Sequence, residues 1–143
     1  MPVWPGYFDR TKPRINVIIA GTKGSPEEVA AVIDTGFGGF MNMPESLAAA
    51  HEPVQLPTAT TGTLADGSRV AFRTALVRIG FANRTEQGLA LLVPSDGPCL
   101  LGIDFLRKFK MALVMTNQQV WLIDEDQFEE IALASGFAHR QSP

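Results

Sequence analysis

Apolar and polar positions alternate with a period of two through much of the chain. Arg14 to Ala20, RINVIIA, is rich in β-branched residues and predicts a strand. Gly21 to Pro26 has the glycine and proline content of a turn, and Glu27 to Asp34, EEVAAVID, returns as a second strand. Phe40 to Pro44 alternates apolar with small or polar residues, as a short strand does. Phe72 to Gly80 places Ala75, Val77 and Ile79 on one face; Phe81 to Gly88 predicts a turn and Leu89 to Pro94 the strand after it. Cys99 to Leu101 is a short apolar segment. Met111 to Met115 and Val120 to Ile123 predict strands across an Asn-Gln-Gln turn.

Three segments break this period. Glu45 to Glu52 follows Pro44, a residue that favours a helix start. Ile103, Phe105, Leu106 and Phe109 form a helical stripe. Glu125 to Ser135 predicts a helix with acids in its first turn, where the dipole favours them, and Gly136 as its C-cap. Residues 53–62 read as extended, and Asp66-Gly67 as a two-residue hairpin turn. Residues 1–13, with Pro2, Pro5 and Pro13 among Trp4, Tyr7 and Phe8, predict an irregular arm with docked aromatics. The chain thus divides into an arm (1–13), one mainly β domain (14–124) and a C-terminal helix and tail (125–143). Short strands at close spacing predict an all-β barrel or sandwich with small helices.

Composition narrows the function. The chain has 143 residues, 45% of them hydrophobic, and a formal net charge of −3. A chain of this length can build its own core without disulfide or metal staples. The charge offers no attraction for nucleic acid or an anionic membrane. Cys99 is the single cysteine, so no internal disulfide forms, which fits a reducing cytoplasmic setting. The first residues lack the long apolar run of a signal peptide, and no apolar run approaches the roughly 20 residues of a membrane helix. Dinucleotide and phosphate loops, a nucleophile elbow and a Cys/His metal cluster are all missing from the sequence. His51 and His139 stand apart in polar stretches and read as solvated surface residues. Cys99 reads as a small core hydrophobe.

One carboxylate is out of place. Asp34 ends an apolar strand and is followed by Thr35, Gly36, Phe37, Gly38 and Gly39. An acid there is costly unless it is hydrogen-bonded, paired or used. On the tripeptide alone, a turn residue bonding its own loop explains it. Well downstream comes Cys99-Leu100-Leu101-Gly102-Ile103-Asp104-Phe105-Leu106: two leucines, a glycine, then a helix.

Together, in this order, VIDTG and LLGIDFL resemble segments of the retropepsin-like aspartic proteases, the single-lobed relatives of pepsin. The resemblance spans roughly residues 14–124. It implies a closed acid-protease barrel with short helices, in which Asp34 is the catalytic acid and Thr35 and Gly36 support the loop. The Thr35 hydroxyl would bond across a dimer and the Gly36 amide would face the carboxylate. Leu100, Leu101 and Gly102 would pack behind the loop, and Asp104 would bond backbone at the helix start. The family's flap would fall on the hairpin near Asp66-Gly67, its tip at either Thr61-Gly62 or Asp66-Gly67. Because the chain has one Asp-Thr-Gly, the resemblance implies a homodimer in which two Asp34 carboxylates meet on the two-fold axis. It also implies a peptide or protein substrate and no metal or organic cofactor. The rival reading is the same fold without catalysis, used for dimerisation or peptide binding. A weaker alternative is a monomer that self-associates only with substrate. Phe37 departs from the small residue of the retroviral enzymes; its ring would either narrow a cleft or join the core.

Overall fold

The computed structural model describes residues 3–57, 59–63 and 65–136. In chain order its strands are β1 (Val3–Pro5), β2 (Tyr7–Asp9), β3 (Lys12–Ala20), β4 (Glu27–Ile33), β5 (Met41–Pro44), β6 (Val54–Gln55), β7 (Thr60–Thr63), β8 (Arg69–Phe81), β9 (Arg84–Val93), β10 (Leu100–Leu101), β11 (Met111–Met115) and β12 (Val120–Asp124). The helices are α1 (Glu45–His51), α2 (Ile103–Phe109) and α3 (Glu125–Ala134). No helix among the described residues is long and apolar enough to cross a membrane.

β3, β4, β10, β5, β9 and β8 pair in that order, and β8 pairs back onto β3, so the sheet closes into a barrel. Closure removes open edges from these strands. The period-two pattern explains which faces turn inward: Ile15, Val17 and Ile19 of β3 are buried while Asn16 and Ile18 are exposed. Helix α2 supplies Phe105 and Phe109, four residues apart on one face, to an aromatic cluster with Phe40 and Phe81. Gly88 makes room for the Phe40 ring, since a Cβ there would lie 2.2 Å from it.

Several local expectations change. Residues 3–9 form strands rather than an irregular arm: β1 lies antiparallel to β12, and β2 to β3. The partner of β1 comes from the far end of the chain, which local composition does not reveal, whereas β2 and β3 form a tight local hairpin across Arg10-Thr11. Trp4 packs 6.1 Å from Phe81, centroid to centroid, while Tyr7 stays largely exposed. β9 starts at Arg84, so most of the segment expected as a turn is strand. The turn is only Ala82-Asn83, with both φ angles positive (54° and 59°) as a two-residue type I′ hairpin requires. Conversely, Thr63 pairs with Arg69, so Asp66-Gly67 sits within a longer connection than two residues. His51 is buried, not solvated: its Nε2 lies 3.1 Å from Glu27 Oε1, a partner 24 residues earlier. His139 lies outside the described residues.

The barrel's centre is the threading of β10. It runs parallel to β4 (Leu100 beside Val32, Leu101 beside Ile33) and antiparallel to β5 (Leu100 beside Asn42, Leu101 beside Met41). The loop between β4 and β5 therefore wraps around the end of β10. Gly102 sits inside that wrap. A Cβ at this position would lie 2.2 Å from the Gly39 carbonyl oxygen and 2.5 Å from that of Phe37. At Gly38, by contrast, a Cβ would meet nothing within 4 Å.

Two outcomes follow. Gly102→Ala should destabilise the fold by about 1–3 kcal/mol, since backbone must move to admit the methyl group, whereas Gly38→Ala should stay within about 0.5 kcal/mol of wild type; urea unfolding midpoints measure both. Burial, with the charge of Glu27 adding to it, pushes the Cys99 thiol up to about 11. The native protein should therefore resist a thiol reagent at pH 8 and react rapidly once unfolded in urea, as absorbance of the released chromophore would report.

Candidate active site

Asp34 stands one residue beyond β4, where the ladder makes its last bond: the Asp34 amide donates to the Leu101 carbonyl at 2.9 Å. The chain then turns sharply, and the Phe37 amide donates back to the Asp34 carbonyl at 3.1 Å. Inside this turn the Gly36 amide donates to Asp34 Oδ1 at 2.9 Å. A Cβ on Gly36 would stand 3.2 Å from that oxygen, so a glycine lets the amide approach closely. The other carboxylate oxygen has no hydrogen-bond partner among the described residues. Asp34 is half-buried; Thr35 and Gly36 are exposed, and the Thr35 hydroxyl has no partner among the described residues. The site thus presents one carboxylate, oriented by its own loop, at an open surface.

The loop is held from behind by the start of α2. Gly102 N donates to Phe40 O (3.2 Å), Ile103 N to Phe37 O (2.9 Å) and Asp104 N to Gly39 O (3.1 Å). Helix starts leave such amides without internal acceptors. The N-cap residue Gly102 has no side chain to cap them, and the loop carbonyls do so instead. Asp104 contributes its backbone amide to this arrangement; its carboxylate, expected to bond backbone, has no hydrogen-bond partner among the described residues. Leu101 is fully buried and Leu100 half-buried beside Val32. The Phe37 ring folds back over Gly39 and Gly102 rather than standing out from the loop, since Cβ atoms at those glycines would meet it at 2.6 and 2.7 Å.

The β7–β8 hairpin carries the remaining expected residues. Thr61 and Gly62 lie within β7, opposite Ala71 and Val70, while Asp66 and Gly67 occupy the turn end, with Gly67 at φ 87°. Asp66 Oδ1 accepts from the Ser68 amide and hydroxyl, which hold its carboxyl below the usual range. No hydrogen bond joins this hairpin to the Asp34 loop among the described residues.

Sequence reasoning missed two supporting features. Arg84 reaches the far end of α2, donating to Phe109 O (2.8 Å) and Lys108 O (3.3 Å), so both ends of this helix are capped from elsewhere. Asn42 sits beside Leu100 with a buried, unpaired carbonyl oxygen. Neither residue has a local pattern that announces the role; only the pairing of distant strands creates it.

No protein-family model matches the sequence, and no curated protein does. Solved structures do match. EIAV protease bound to an inhibitor superposes with a TM-score of 0.60 at 19% identity, over 76% of this chain and 98% of that one. A retropepsin-like aspartic protease from Rickettsia conorii superposes with a TM-score of 0.60 at 12% identity, over 84% of this chain and 89% of that one. At such identities the likeness lies in the course of the backbone: this chain has the retropepsin-like aspartic protease fold.

Proposed function

We propose that the protein is an aspartic endopeptidase that works as a homodimer, with Asp34 of each subunit supplying one of two catalytic carboxylates. The observation that carries this reading is the state of Asp34. One oxygen is fixed by the Gly36 amide at 2.9 Å and the carboxylate faces an open surface on a loop held rigidly from behind. A single such acid cannot both deprotonate a water and protonate the leaving amine. Two close carboxylates that share one proton can, one as base and the other as acid. A two-fold axis near Asp34 would bring the second carboxylate from an identical chain, and Thr35, exposed beside it, would bond across the same axis.

The substrate in this reading is an extended peptide, bound by β-type backbone hydrogen bonds between the Asp34 loop and the β7–β8 hairpin. Asp66-Gly67 at the hairpin's turn end would then serve as the closing tip. The lone buried Cys99 suits a reducing cytoplasmic setting. The alternative is a non-catalytic dimerisation or peptide-binding module.

Digestion of a peptide library between pH 3 and 8 separates these. The protease reading expects cleavage with a bell-shaped rate profile whose two limbs belong to the carboxylate pair. Absence of cleavage at every pH, from protein that sediments as a dimer, supports the binding module instead. Asp34→Asn should keep its melting temperature and sediment at twice the 15.5 kDa chain mass, yet lose at least about 10²-fold in kcat/KM. Undiminished cleavage by this variant would remove Asp34 from the mechanism.

A further inference from the structure

A groove of about 550 Å³ lies on the outer face of β3 and β4. Asn16, Ile18 and Glu28 line it, with Ile18 and Glu28 directly opposite each other across the two strands. Glu28 precedes Asp34 by six residues along the chain, or about 20 Å of strand. Trp4, Tyr7 and Phe81 give the groove aromatic walls, and the β8–β9 turn adds Asn83.

The barrel wall is incomplete at this place. The amides of Val32 and Asp34 donate to the carbonyls of Cys99 and Leu101, away from β3. Successive strand residues alternate their bonding edge, so Ala31 and Val29 bond Ile15 and Val17. Asn16 therefore turns its own amide and carbonyl to the opposite edge of β3. On that edge the pairing with β2 ends at Tyr7 and Arg14, and the pairing with β8 begins at Gly80 and Ile18. No strand residue stands opposite Asn16, and no turn or loop hydrogen bond serves its backbone among the described residues.

Charge narrows the ligand. Glu28 and Arg84 are the charged residues of the lining. Arg84 is engaged by Glu86 at 2.8 Å and by the carbonyls of Phe109 and Lys108. Glu28 is exposed and has no ion pair or hydrogen bond among the described residues. A free carboxylate beside aromatic faces suits a cation on an apolar stem. Ile18, 48% exposed, offers that stem its contact. The groove falls in the size range of ligand sites, about 300–1,000 Å³, and so holds more than one side chain. The carboxamides of Asn16 and Asn83 both donate and accept, as a peptide backbone does.

We propose that this groove is a second peptide-binding site, separate from the Asp34 loop, which captures a lysine or arginine side chain of a partner polypeptide. It does not depend on the protease reading, since nothing in it requires cleavage.

The test titrates ¹⁵N-labelled Asp34→Asn protein, so that no probe is consumed. The probes are blocked heptapeptides of threonine and valine that differ only in a central lysine, norleucine or glutamate. The lysine peptide should shift the amides of Asn16 and Asn83 and bind at least about tenfold more tightly than the norleucine peptide. Glu28→Gln, a change at an exposed position, should erase that difference. Glu28→Lys should transfer the preference to the glutamate peptide, which a merely destabilised protein would not do. Equal affinity for the lysine and norleucine peptides overturns the proposal, as does the absence of shifts at Asn16 and Asn83. Shifts confined to Thr35 and Gly36 place the peptide at the Asp34 loop and overturn it as well. Shifts of Asn16 and Asn83 that grow with protein concentration alone, without peptide, assign the groove to a second copy of the chain and also overturn it.

Discussion

The start of α2 and the loop of Asp34 complete each other. A helix begins with amides that have no acceptor within it, and a glycine-rich turn has carbonyls that no regular ladder serves. Gly102, Ile103 and Asp104 give their amides to Phe40, Phe37 and Gly39, and both shortages end together. Each such bond contributes about 1 kcal/mol net, while a buried group left unpaired costs more. The exchange requires backbone to pass within contact of backbone, and the absence of a side chain at Gly102 permits it. The Leu-Leu-Gly sequence is therefore the inner half of the site, as much as Asp34-Thr35-Gly36 is the outer half.

The barrel exists, from the site's point of view, to deliver those two halves to one place. β10 is only two residues long, yet it bonds to β4 on one side and β5 on the other. So short a strand holds its place because both neighbours belong to a closed ring and because α2, immediately after it, is anchored by Phe105 and Phe109 in the core. Burial of two such rings contributes several kcal/mol, at roughly 1.5–3 kcal/mol for each. Arg84 ties the opposite end of α2 to β9. Rigidity at the loop is thus inherited from packing some distance behind it, which is how catalytic groups are commonly kept in place.

Polarity on the Asp34 face is sparse and specific. A carboxylate with one oxygen fixed and an unpaired carboxamide stand along a row otherwise lined by Val32, Leu100 and Leu91. Apolar surroundings lower the local dielectric, which strengthens the bond that the Gly36 amide makes to Asp34.

Much of this was legible along the chain. Period-two alternation identifies β3 and the part of β8 from Ala75 to Ile79, because there one face is buried and the other is not. The stripe of Phe105 and Phe109 identifies α2, and an acid closing the apolar run before Thr35 and Gly36 marks the loop. These features are local, and local geometry dictates them. The tertiary structure decided the rest. Val3–Pro5 became a strand because β12, from the far end of the chain, pairs with it. His51 is buried beside Glu27, and the need for a glycine at position 102 arises only from the carbonyls of Phe37 and Gly39 that crowd it. Asn42 acquired its unpaired oxygen when β5 settled between β10 and β9. Sequence alone determines how a residue sits relative to its own neighbours along the chain; which remote group it meets depends on the closure of the barrel, since a hydrogen bond or a steric contact needs both partners in place.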